Sequence, residues 1–226
     1  MNPDRKTAIT AGILFLTAMV TSLLGGGILE TVLNTPGYLL NLSGNATELL
    51  TGVSLEIING IAVVGIAAVL FPVLRRYSKS ISVGYVSFRI IESVFCIVSA
   101  LIPLLILSLS RKYLNAEVQD ASYYRTFGEL LISVRMGIAG LLIPVFFSLG
   151  AWLFYYLLFR TKLIPRFISV WGFSAVILVF VLSFLETGIV INLILVLPII
   201  LNEIFLGIWL IIKGFNASGL VSVPVE

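Results

Sequence analysis

The sequence runs to 226 residues, of which 59% are hydrophobic and only 11% charged, with a net charge of +3 at pH 7. A soluble domain carries roughly 25% charged residues, so this composition excludes a water-solvated globule and calls for solvation by lipid. The basic residues stand in short clusters between apolar runs, not in one patch, so nucleic acid is not expected as a partner.

A helix that crosses a bilayer needs roughly 20 mostly apolar residues. Six stretches qualify: 7–29, 49–74, 81–109, 129–159, 167–185 and 189–212. They predict an all-α, polytopic helix bundle in which residues 1–226 form a single transmembrane domain. The first stretch follows the charged opening Met1 to Lys6. It is longer than the roughly 7–15 apolar residues of a signal peptide and has no clear small-residue cleavage site, so a retained first span is expected. The third and fourth stretches are long enough to tilt or to project beyond the hydrocarbon. Pro72, Pro103, Pro144 and Pro198 fall inside spans, where kinks are expected.

The connections alternate in charge. With the N-terminus inside, the inner segments carry Arg5, Lys6, Arg75, Arg76, Lys79, Arg160, Lys162, Arg166 and Lys213, against Arg111, Lys112 and Arg125 outside. Glu30, Glu48, Glu117, Asp120, Glu129 and Glu186 all fall outside. Lys and Arg favour the cytoplasmic side, so both termini are expected in the cytoplasm.

Five ionisable residues remain within the spans: Glu56, Arg89, Glu92, Arg135 and Glu203. A charge at the bilayer centre costs at least about 2.5–3.5 kcal/mol, so these residues must face the bundle interior or a watered cavity. In span three, Ser82, Tyr85, Arg89, Glu92, Cys96 and Ser99 recur at helical spacing on one face. In span two, Gly52, Glu56, Asn59 and Gly60 share another, and in span six Asn202 and Glu203 follow Pro198. A polar cleft between spans two, three, four and six is expected, with Glu56, Asn59, Tyr85, Arg89, Glu92, Arg135, Asn202 and Glu203 as candidate ligand-binding residues. Glu56 and Arg135 lie at similar depth near the outer ends of their spans. Arg89, Glu92 and Glu203 lie nearer the middle. Two arginines against three glutamates leave a formal charge of −1, which calls for a proton or a bound cation.

The sequence has no histidine, and its single cysteine, Cys96, lies in an apolar run. No metal site, cofactor or catalytic triad is expected. No Ser-x-x-Lys, His-Glu-x-x-His or Gly-x-Ser-x-Gly pattern occurs. Three functions therefore compete. The first is binding or transport of a small molecule, lipid or ion. The second is a non-catalytic scaffold or partner subunit whose charges are structural clasps. The third, an intramembrane enzyme working through a glutamate acid–base, is the least favoured by this residue inventory. Six spans without a clear inverted repeat is small for a self-sufficient transporter, which points to a homodimer in that case.

Three segments carry a resemblance. They are Met1 to Ala8 running into span one, Leu70-Phe71-Pro72-Val73-Leu74-Arg75-Arg76-Tyr77-Ser78 with Gly84 to Arg89 and Glu92, and Phe154 to Arg160 with Ile164-Pro165-Arg166 and Ser169-Val170-Trp171-Gly172. Together they resemble a prokaryotic multi-pass membrane family, domain-of-unknown-function family 4386. The resemblance implies a bacterial or archaeal cell membrane and brings no activity, substrate or catalytic residue with it.

Overall fold

The computed structural model describes residues 2–115, 121–185 and 189–216. Among these, all regular structure is helical. The helices are α1 (Pro3–Leu33), the short α2 (Tyr38–Asn41), α3 (Ala46–Leu74), α4 (Lys79–Tyr113), α5 (Ala121–Gly137), α6 (Ile143–Thr161), α7 (Arg166–Leu182) and α8 (Ile189–Ile212). A π-helical segment, Ile138–Leu142, joins α5 to α6 into one rod. Five helices are long and apolar enough to cross a membrane, counting Ser122–Thr161 as one, and α7 is apolar but shorter, at 17 residues. Large apolar side chains such as Leu24, Leu105, Ile177, Leu193 and Ile194 lie on the outside of the bundle. This surface fits lipid.

Apart from the fourth, whose helix begins at Ala121, eight residues before the expected start at 129, the spans and the helices agree to within a few residues, and two differences have local causes. The first span extends back to Pro3, because Asn2 accepts a hydrogen bond from the Asp4 amide at 3.1 Å and proline suits the first helical position. The fourth is not one regular helix. Pro144 has no amide proton to offer the carbonyl four residues back, and the Ile143 amide bonds instead to the Ile138 carbonyl, five residues back. The expected turn at Glu186 to Gly188, and the outer Glu117 and Asp120, lie outside the described residues.

The helices pack as a closed ring in which α1 contacts α3, α3 contacts α4, α4 contacts α6, α6 contacts α7, α7 contacts α8, and α8 returns to α1. Without a hydrophobic force between helices in lipid, such contacts depend on close backbone approach. Gly12 supplies it between α1 and α8: a Cβ there would lie 2.5 Å from the Gly207 carbonyl oxygen.

The basic connections meet at one end. Asp4 pairs with Arg76 at 2.9 Å. Arg5 donates to the carbonyls of Leu210, Ile211 and Ile212 at 3.2, 2.6 and 3.0 Å, capping the last turn of α8. Asn216 donates from its side chain to the Lys162 carbonyl at 3.0 Å. In this half, all six long helices contribute to one core, centred on stacked Phe15, Phe154 and Tyr85. The opposite half is different. Its buried core comes from α1, α3, α4 and the α2 region, with Tyr124, Leu131, Ile132 and Ile138 packed at its edge, while α5 and the π segment rest mainly against α4 and stand off from α1 and α3.

Candidate functional site

The gap left by that stand-off is a cavity of about 470 Å³. Its walls come from α1 and its C-cap (Ser22, Gly26, Glu30 and Asn34), α3 (Glu56, Asn59), α4 (Cys96, Ser99) and the rod of α5 and the π segment (Ile132, Arg135, Met136, Gly140). Ligand sites of small molecules range over about 300–1,000 Å³, so the size fits one. Glu56 and Arg135 form an ion pair across it, Nη2 to Oε1 at 2.5 Å, with 15% and 11% of their side chains exposed. The second Glu56 oxygen and the Arg135 Nε are buried and take no hydrogen bond among the described residues. The ionisable acids and bases on the walls are Glu30, Glu56 and Arg135, a formal charge of −1. The lining also offers the amides of Asn34 and Asn59, the hydroxyls of Ser22 and Ser99, and apolar surface from Leu33, Ile132, Met136 and Ile143.

The remaining candidate residues lie elsewhere. Arg89 Nη1 meets Glu92 Oε2 at 2.9 Å along α4, and both side chains are about 95% enclosed. The Arg89 stem packs beside Gly150, and its guanidinium stands 5.6 Å from the Phe147 ring. Tyr85, one turn earlier, is buried in the aromatic stack with Phe154 at 5.2 Å. All six residues of the polar face expected on span three are buried, as their helical spacing requires. Asn202 is fully buried and bonded at both side-chain atoms: it accepts from the Tyr155 hydroxyl at 2.7 Å and donates to the Ile168 carbonyl at 3.0 Å. Gly172 makes room for this bond, since a Cβ there would run into the Tyr155 ring. Glu203 lies within electrostatic reach of Arg89 and forms no ion pair among the described residues.

The structure thus brings Glu56, Asn59 and Arg135 to the cavity and sends Tyr85, Arg89, Glu92 and Asn202 into the packed interior, with Glu203 half-buried and also away from the cavity. The wall expected from span six is supplied instead by α1. Ser22, Gly26, Glu30 and Asn34 are not among the expected site residues: the first two are small and uncharged within span one, and the last two fall beyond its expected end at residue 29. Their four-residue spacing is the signal that marks them as one helical stripe. Among the described residues no group of His, Cys, Asp or Glu is placed to hold a metal ion.

These features define a multi-helix membrane protein with a polar cavity at one end of its bundle. The family described as a domain of unknown function, DUF4386, matches residues 10–214, and the chain belongs to that family. No curated protein and no solved structure matches it.

Proposed function

We propose that the protein is a six-span protein of a bacterial or archaeal cell membrane, with both termini in the cytoplasm, that binds a small organic cation in the cavity opposite its basic end. The count of six takes α7 as a span: 17 residues at about 1.5 Å each reach roughly 25 Å, at the short limit for crossing. The orientation rests on the nine Lys and Arg of the basic end against three beyond it. A cysteine at Asn45, in a Cys96→Ser background, is expected to react with an impermeant thiol reagent in intact cells, while one at Ser78 does not. The reverse pattern turns the protein over.

The observation that carries the binding reading is the acidic cavity itself. Two carboxylates and one guanidinium line it, with neutral oxygen donors and apolar surface beside them. Such a lining suits an ammonium group on an apolar body. Glu56 holds the ammonium group, and Glu30 supplies the negative charge that Arg135 leaves in excess. Native mass spectrometry with benzyltrimethylammonium tests this. The wild type is expected to show a single adduct, weakened at least tenfold by Glu56→Gln, about 1.4 kcal/mol. An unchanged Glu56→Gln variant, or equal uptake of benzoate, contradicts it.

A second reading, a scaffold whose charges are clasps, draws on the Arg89–Glu92 pair, which is sealed away from the cavity. It predicts that no small molecule binds and that removing both members of either pair changes stability alone.

A further inference from the structure

At the basic end, a second and smaller cavity of about 280 Å³ lies between α6 and α7. Its walls are mostly apolar: Tyr156, Phe159, Val170 and Phe173, all exposed on the outside of the bundle where lipid would lie. Two of these walls carry guanidinium groups. Arg160 stands over the Tyr156 ring at 5.9 Å and Arg166 over the Phe159 ring at 5.1 Å. Lys162 adds a third positive charge in the turn between them, where it takes the left-handed conformation with φ 56°. No acidic residue occurs from Leu130 to Leu185, so nothing in the local sequence neutralises this cluster. Ser169 also lines the cavity. It is fully buried, and its hydroxyl takes no hydrogen bond among the described residues.

These groups are layered. The guanidinium groups lie beside the α6–α7 turn, the unpartnered hydroxyl of Ser169 one helical turn deeper from Arg166, and the aromatic and valine surface alongside. An anionic glycerophospholipid has the same order: phosphate diester, ester carbonyls, acyl chain. Basic pockets between membrane helices are known to hold acidic headgroups. We infer that the groove between α6 and α7 is a binding site for one anionic phospholipid. Its phosphate lies between Arg160 and Arg166, an ester carbonyl accepts from Ser169, and one acyl chain lies over Phe159, Val170 and Phe173. The site is separate from the cation cavity and stands whether or not that cavity binds anything.

The test is native mass spectrometry of the full chain, purified in neutral detergent and stripped of lipid, titrated with dioleoyl phosphatidylglycerol and with dioleoyl phosphatidylcholine. Phosphatidylglycerol is expected to bind at least tenfold more tightly than phosphatidylcholine. Arg160→Gln with Arg166→Gln removes that preference. Val170→Trp, which fills the exposed groove and leaves the charges intact, weakens binding of both lipids. Arg75→Gln with Lys79→Gln, at the neighbouring basic turn, changes nothing. Equal binding of the two lipids overturns the inference, as does an equal loss in the Arg75 and Lys79 variant or an unaffected Val170→Trp. Displacement of phosphatidylglycerol by millimolar glycerol phosphate or inorganic phosphate also overturns it, since the headgroup alone would then be the ligand.

Discussion

The two buried ion pairs use the same chemical groups in opposite ways. Arg89 and Glu92 sit three residues apart on one helix and are enclosed by α6 and the aromatic stack, with about 5% of each side chain exposed. Their pairing links no two elements; it neutralises a charge that α4 carries through the packed half of the bundle. Glu56 and Arg135 stand on α3 and α5, two elements that otherwise hardly touch, and they meet at the edge of a cavity with two to three times the exposure. Enclosure of a charged pair within the bundle does not by itself mark a site. The more enclosed pair is the less available and leaves one polar atom, Arg89 Nε, unmatched, while the other spans an opening and leaves two, Glu56 Oε2 and Arg135 Nε.

The largest effect that separates the pairs comes from breaking one partner only. Arg89→Leu leaves Glu92 enclosed and uncompensated, a loss of about 3–5 kcal/mol that is expected to lower Tm by roughly 10 °C in detergent. Arg89→Leu with Glu92→Leu recovers most of that loss, because a buried pair replaced by apolar groups is often near neutral. A double variant as unstable as the single one would mean that α4 needs the charges themselves.

A smaller effect is expected at Tyr155→Phe. The Asn202 carbonyl oxygen then loses its donor in a dry site, costing about 1–2 kcal/mol, read as a fall in Tm with cation binding unchanged. The smallest change in binding belongs to Arg135→Leu. Its stability cost stays below that of Arg89→Leu, because the freed Glu56 borders a cavity that admits water or a cation, and the cavity becomes more negative, from −1 to −2. Affinity for benzyltrimethylammonium is then expected to rise or hold steady, not fall. A collapse of the fold in Arg135→Leu would make the second pair a clasp like the first.

Much of this bundle was legible in the sequence because lipid enforces a simple rule: apolar runs of bilayer length become helices, and charges within them turn inward. The face Ser82, Tyr85, Arg89, Glu92, Cys96, Ser99 and the pairing of Glu56 with Arg135 at a common depth both follow from helical spacing. What spacing does not encode is which inward face meets a packed neighbour and which meets a gap. Asn202 and Glu56 look alike as isolated polar residues in apolar runs. Only the position of Tyr155, admitted by Gly172, turns Asn202 into a satisfied packing residue. The cavity in turn depends on the rod of α5 and the π segment standing away from α1. Gly137, Gly140 and Pro144 hint at irregularity there, but not at the direction the rod takes.

The most direct test of the account compares two charge-neutral double variants, Glu56→Leu with Arg135→Leu and Arg89→Leu with Glu92→Leu, for Tm and for benzyltrimethylammonium binding. Both are expected to fold with Tm within a few degrees of wild type, the first losing the bound cation and the second keeping it. Retained binding in the first variant, or loss of binding in a well-folded second variant, would contradict it.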